Sequence, residues 1–262
     1  MTLTTWPKIV EIAELTPTDT VLEIGPGPGT MTRLLIAAAG RVIAVELDPG
    51  MVNLLQHELL YPNLTVIEAD ILQTPIEPLI HNLQFAEGTQ SNAISNLQSP
   101  SYKVVANLPY YITSAVLRHM LEATPRPQRV VVTVQKEVAQ RMVAQPGEMS
   151  LLAVSVQFYG QPKLTHHIPA GAFFPPPKVD SAVVRIDTYT QPPVPIADVE
   201  HFFRVVKAGF GQKRKQLKNS LSAGLHQSAA AITLALQQAG IDPTRRAETL
   251  NLAEWARLAE LL

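Results

Sequence analysis

The run Thr20-Val21-Leu22-Glu23-Ile24 breaks off into Gly25-Pro26-Gly27-Pro28-Gly29, and a helical pattern from Thr30 to Ala39 follows at once. A short apolar run that ends in glycines reads as a buried strand. Glycines at alternate positions let the backbone come close to a ligand, and the start of the following helix adds N–H donors. The pattern repeats. Arg41-Val42-Ile43-Ala44-Val45-Glu46 is a second strand, a helix runs through Met51 to Leu60, and Leu64-Thr65-Val66-Ile67-Glu68 is a third strand reaching Ala69-Asp70. Strands alternating with helices imply an α/β fold with a parallel, doubly wound sheet.

From about Glu77 to Ser101 the chain turns polar, rich in Asn, Gln, Ser and Gly, and reads as a loop or insertion. A fourth strand follows at Tyr102 to Ala106, then a helix at Thr113 to Glu122 and a fifth strand at Val130 to Val134. Lys136 to Ala144 reads as a helix stopped by Pro146-Gly147, and Leu151 to Tyr159 as another. Further strands are expected near Lys163 to His167 and Ser181 to Asp187, with Phe173-Phe174-Pro175-Pro176-Pro177 between them. Gln191-Pro192-Pro193-Val194-Pro195 looks like a linker, and the chain from Asp198 to Leu262 is helix-patterned. Two domains are therefore expected, 1–190 and a helical 191–262, with a polar insertion at about 77–101. Hydrophobic residues make up 46% and charged residues 16%, enough for a sizeable core. The lack of cysteine excludes disulfides and thiolate metal sites and suits a reducing cytosol. Charges and prolines interrupt every candidate membrane span, and the N-terminus lacks the basic start and apolar stretch of a signal peptide. A cytoplasmic protein without membrane contact is expected.

Each strand end carries a polar group. Glu46 lies 21 residues after Gly25 (46 − 25), where an acidic residue would hold ribose hydroxyls. Asp70 can receive an adenine amino group. A glycine turn alone would equally cradle a dinucleotide pyrophosphate, although the spacing here is G-x-G-x-G and not G-x-G-x-x-G. The competing reading makes Glu46 and Asp70 ordinary strand-end carboxylates. After the fourth strand comes Asn107-Leu108-Pro109-Tyr110, a set suited to gripping a flat base with an exocyclic amine. Asn107 offers its side-chain oxygen to an N–H, Pro109 a backbone carbonyl, and Tyr110 a stacking face. Phe173 is the candidate for the opposite face, weighed against a core aromatic. Tyr111 is expected to pack into the helix start. His119, His166 and His167 stand apart from any nucleophile pattern and read as structural or surface residues. Net charge is only −1, yet Lys213, Arg214, Lys215 and Lys218 crowd together. They are candidates for nucleic-acid phosphates, and for RNA phosphates on the resemblance given below, against the plainer reading of a solvated helix face.

Several of these stretches together resemble a known family. Glu23-Ile24-Gly25-Pro26-Gly27, Glu46-Leu47-Asp48, Glu68-Ala69-Asp70 and Asn107-Leu108-Pro109-Tyr110-Tyr111-Ile112 are similar to the ribosomal RNA adenine dimethyltransferases of KsgA/RsmA type. So are Gln135-Lys136-Glu137-Val138-Ala139-x-Arg141, Phe173-x-Pro175-Pro176-Pro177-Lys178-Val179-Asp180-Ser181, Phe210-x-Gln212-x-Arg214-Lys215-x-Leu217-x-Asn219-x-Leu221 and Ile241-Asp242-Pro243-x-x-Arg246-Ala247-Glu248. The resemblance implies a Rossmann-like class I methyltransferase sheet with a small C-terminal all-helical domain. It implies two methyl transfers from S-adenosylmethionine to N6 of each of two adjacent adenosines near the 3′ end of 16S rRNA, within the immature small ribosomal subunit, and a checkpoint role in that subunit's biogenesis. Gly25, Gly27, Glu46, Asp70 and Asn107 would contact the cofactor. Asn107, Pro109, Tyr110 and Phe173 would surround the adenine. No metal is expected, and the protein is expected to be a monomer. An Erm-type methyltransferase of 23S rRNA is the near rival, and a non-catalytic RNA-binding or transcription-associated relative the further one. The proline-rich segment argues against the first, and the intact Asn107-Leu108-Pro109-Tyr110 against the second. Three departures stand out: no Gln-Asn-Phe-Leu segment to cover the cofactor, so that weaker cofactor retention is expected; a short Pro146 to Ser150 stretch; and the long insertion.

Overall fold

A computed structural model describes residues 5–81 and 101–262 of the chain. The chain divides into two compact units. One comprises the chain up to Ala139 with Gln161–Thr188, and the other comprises Gln140–Gly160 with Tyr189–Leu262.

The first unit holds helices α1 (Thr5–Ala13), α2 (Thr30–Ala38), α3 (Pro49–Glu58), α4 (Ile76–His81) and α5 (Thr113–Glu122). Its strands are β1 (Thr20–Ile24), β2 (Arg41–Glu46), β3 (Leu64–Glu68), β4 (Tyr102–Asn107), β5 (Arg129–Gln135), β6 (Gly160–Ile168) and β7 (Ser181–Thr188); α6 (Lys136–Met142) and the first residue of β6 cross the boundary between the units. The sheet runs β3-β2-β1-β4-β5-β7-β6. β1 pairs in parallel with β2 and β4, as do β2 with β3 and β4 with β5, while β7 runs antiparallel to β5. The order reverses at β1, so the chain leaves β3 on one side of β1 and returns as β4 on the other. Open sheets bind ligands at that switch point, beyond the carboxyl ends of the strands.

Burial explains the sequence pattern. β1, β2, β4 and β5 are apolar nearly throughout because helices cover both faces of a parallel sheet. One core face gathers Ile9 and Ala13 of α1, Leu35 of α2, Leu55 of α3, Val105 and Val131. The helix α1 was not anticipated; its Ile9 and Ala13, four residues apart, are both fully buried. The polar insertion expected at 77–101 also begins later than its composition suggested, because Glu77 to His81 complete α4 with Ile76, Leu79 and Ile80 buried. Residues 82–100 of that expectation lie outside the described residues.

The second unit holds α7 (Leu151–Tyr159), α8 (Val199–Phe210), α9 (Leu217–Leu225), α10 (Ala229–Gln238) and α11 (Leu252–Ala259). A division at 190 would put α7 with the sheet. Instead its Phe158 ring stacks 5.0 Å from Phe202, and Tyr159 lies 5.9 Å from Phe203, tying α7 to α8. Trp255 of α11 is buried against Gly209, where any side chain would collide with the indole. α11 starts with a full capping box: Asn251 accepts from the Glu254 N–H at 2.8 Å, and Glu254 accepts from the Asn251 N–H at 2.8 Å. Among the described residues no helix is long and apolar enough to cross a membrane.

Candidate active site

The glycine turn after β1 takes left-handed backbone at three places, with φ of 66° at Gly25, 54° at Gly27 and 79° at Gly29. A side chain is strained at all three, but for different surroundings. At Gly29 a Cβ would meet Leu55 Cδ2 at 2.7 Å, so packing also forbids it. At Gly25 and Gly27 a Cβ would meet nothing within 4 Å. Those two glycines, one exposed and one half-buried, leave open space in front of their backbone, which is what an approaching ligand needs.

Glu46 closes β2 and clips that turn in place. Its Oε2 accepts from the Gly27 N–H at 3.0 Å, and its Oε1 accepts from the N–H groups of Leu47 at 2.8 Å and Asp48 at 3.0 Å. A carboxylate has about four acceptor positions, so one remains open on Oε2. Beyond β3, Asp70 uses Oδ1 to accept from the Leu72 N–H at 2.9 Å. Its other carboxylate oxygen has no hydrogen-bond partner among the described residues.

Glu23 is a residue that sequence reasoning quoted in the motif but left without a role. It sits inside β1, fully buried, and neither carboxylate oxygen has a hydrogen-bond partner among the described residues. Desolvation pushes its carboxyl up from the usual 4.5 to about 8; the charge of Glu46 adds to the rise, and the neighbouring Thr32 opposes it. Its signal was present in the sequence: a carboxylate at the fourth position of an otherwise apolar strand.

At the end of β4 the Asn107 side chain is half-buried and makes no hydrogen bond to another described residue. The Pro109 carbonyl, expected to be free, is not. It accepts from the Ile112 N–H at 3.2 Å and from the Thr113 hydroxyl at 3.4 Å, because Pro109 begins the turn into α5. The Leu108 carbonyl has no partner among the described residues and becomes the second available acceptor in that tetrapeptide. Tyr110 is anchored through its hydroxyl, 2.7 Å from that of Ser181 at the start of β7. Tyr111 does not pack into the helix start: it is 89% exposed. Two consecutive residues of a turn point in opposite directions, and Tyr110 took the inward one.

The loop before β7 is held by Asp180, whose Oδ1 accepts from the Ala170 N–H at 3.0 Å and whose Oδ2 lies 3.0 Å from His167 Nε2. Those two contacts, the Ala170 N–H first, hold its carboxyl below the usual range. Within this loop Phe173 is half-buried against the core, while Phe174 is 94% exposed. His119 lies with its Nε2 3.0 Å from the Thr74 carbonyl. Among the described residues no group of three or more His, Asp or Glu side chains is arranged to hold a metal ion.

In the helical unit, Lys213, Arg214 and Lys215 are exposed in the turn joining α8 to α9 and have no ion-pair partner among the described residues. Lys218 is half-buried, and its charge helps hold the Asp242 carboxyl below the usual range, after the dominant hydrogen bonds from Thr244.

Comparison with known proteins follows the same lines. The profile of the family described as Ribosomal RNA adenine dimethylase matches residues 4–262. Proteins named Ribosomal RNA small subunit methyltransferase A are similar over most of the chain. One from Dehalococcoides mccartyi is 49% identical over 253 residues, 96% of this chain and 81% of that one. Another from Moorella thermoacetica is 42% identical, covering 97% of this chain and 86% of that one. Among solved structures, the 23S rRNA methyltransferase ErmE superposes with a TM-score of 0.72 at 28% identity, over 100% of this chain and 98% of that one. A dimethyladenosine transferase from Plasmodium falciparum superposes with a TM-score of 0.76 at 22% identity, over 98% and 94%, which speaks to the fold.

Proposed function

Since this chain belongs to the ribosomal RNA adenine dimethylase family, we propose that it places two methyl groups on N6 of each of two adjacent adenosines near the 3′ end of 16S rRNA. The substrate is the immature small ribosomal subunit, and the methyl donor is S-adenosylmethionine. One observation carries this reading: neighbouring strand ends present Asp70, Glu46, the open Gly25–Gly27 turn and Asn107 in spatial order. Asp70 would receive the adenine amino group of the cofactor, and Glu46 its ribose hydroxyls. Gly25 and Gly27 give the space for its close approach. The cofactor supplies an electrophilic methyl on a positive sulfur.

The remaining work falls to this chain's own groups. An adenine N6 conjugates its lone pair into the ring and is a poor nucleophile. For the first transfer the Asn107 side-chain oxygen and the Leu108 carbonyl accept the two N6–H groups, which turns the nitrogen lone pair out of the ring; the nitrogen gains the methyl as the sulfur–methyl bond breaks, sheds one proton to water, and enters the second transfer with one N–H left for these acceptors. The Tyr110 ring, anchored through Ser181, stacks on one face of the base once the base has left its helix. Phe173 covers the other. Placement and preorganised acceptors do the catalysis, and no strong base is required.

With labelled S-adenosylmethionine and small subunits isolated without the modification, label accumulates to two methyls on each of two adjacent adenines. The similarity to ErmE keeps one other substrate in view, and the same assay decides it: label confined to large-subunit RNA would replace this reading by the 23S one. The exposed, unpaired cations of the helical unit meet RNA phosphates. Lys215→Ala therefore weakens RNA binding uniformly and lowers the slope of log affinity against log salt by about one. An unchanged slope would assign Lys215 to a solvated surface.

A further inference from the structure

The helical unit carries a second feature that neither the methyl-transfer chemistry nor the Lys213 to Lys215 turn uses. Between α8 and α9 lies a cleft of about 580 Å³, lined among others by Glu200, Arg204, Lys207, Gln212, Ser220 and Ala223. Its size falls in the range of small-molecule sites. Its base forms where the two helices touch: a Cβ on Gly224 would stand 2.7 Å from the Ala208 Cβ, so glycine alone permits that approach.

The charges in the cleft are specific. His201 Nε2 is 2.9 Å from the Ala259 carbonyl, which can only accept, so the ring proton sits on Nε2. Nδ1 is then an acceptor, and Arg204 Nη2 donates to it at 2.6 Å. The guanidinium donates one N–H to the ring and retains its other N–H groups for a ligand. Lys207, one helical turn further along α8, is exposed and has no hydrogen bond or ion pair among the described residues. One carboxylate, Glu200, stands against these two cations. Gln212 and the small Ala223 complete a wall that is polar but not bulky.

We propose that this cleft is a phosphate-binding site that seats a phosphodiester of the RNA backbone, Arg204 and Lys207 sharing its charge. A planar guanidinium beside a point-charge ammonium suits the non-bridging oxygens of one phosphate. The partner is RNA and not a free anion because the cleft opens beside Gln212, and the chain runs from there straight into the unpaired cations Lys213, Arg214 and Lys215. The inference rests on the functional reading above for its choice of RNA.

The test measures binding of the whole protein to unmodified small subunits across a salt series. Lys207→Gln and Arg204→Gln each lower affinity about tenfold and the salt slope by about one, while Lys207→Arg keeps both. Ala223→Leu, on an exposed position of α9, fills the cleft without altering charge; it weakens binding several-fold and leaves the melting temperature and S-adenosylmethionine binding in place. A wild-type slope in Lys207→Gln, or wild-type affinity in Ala223→Leu, overturns the site. If the wild-type protein binds RNA but transfers no methyl to small subunits, the functional reading fails, and the salt slopes still decide the cleft.

Discussion

Asn107→Ala lowers kcat for methyl transfer to small-subunit RNA by about 10²- to 10³-fold or more, the range seen when one preorganised polar partner of a reacting group is removed. The fold barely notices. Asn107 is half-buried and makes no side-chain hydrogen bond to another described residue, so its loss leaves no stranded partner and the melting temperature falls by no more than a few degrees. Asn107 stands at the carboxyl end of a switch-point strand, where open sheets bind their ligands. Single-turnover rates at saturating RNA and cofactor, with thermal unfolding alongside, check both halves. Near wild-type turnover would move the N6 acceptor elsewhere. A collapse in stability would make Asn107 a structural residue.

Stability that falls with rising pH and is relieved by Glu23→Gln is the second expected result. Burial without a partner raises the Glu23 carboxyl to about 8. Between its usual 4.5 and that value, the folded chain holds a proton that the unfolded chain has released. The native state then binds more protons, and stability declines as pH increases across that window. The loss between pH 5 and 7.5 is on the order of 3 kcal/mol. Glutamine cannot ionise, so the Glu23→Gln curve is flatter by that amount over the same interval, whatever its absolute height. Denaturant unfolding at half-unit pH steps measures the difference. Parallel curves for the two proteins would mean that Glu23 ionises normally in the fold.

The sheet was legible because its signals are local. Apolar runs of five or six residues, each stopped by glycine or a lone carboxylate, put β1, β2 and β3 where they lie, and the same stops marked Glu46, Asp70 and Asn107. What stayed hidden depends on contacts distant in sequence. Helix α7 reads as a helix anywhere; contacts distant in sequence, among them the rings of Phe202 and Phe203 more than forty residues on, place it in the helical unit. The Pro109 carbonyl looked available because proline lacks an N–H, but the turn it initiates spends that oxygen on Ile112 and Thr113. Tyr110 and Tyr111 are the same side chain to a sequence reader, and the direction of one tight turn separates an anchored ring from an exposed one. Glu23 was passed over because a carboxylate in a strand usually faces water; here both sides of the strand are covered.

The sheet also works as a ruler. Parallel neighbours sit about 4.8 Å apart, so three steps, from β3 through β2 and β1 to β4, measure roughly 14 Å between the Asp70 end and the Asn107 end. That interval is set by backbone hydrogen bonds and no side-chain substitution can stretch it. A ligand held at both of those ends would have to match that interval, which the strand lattice fixes independently of the side chains that line it.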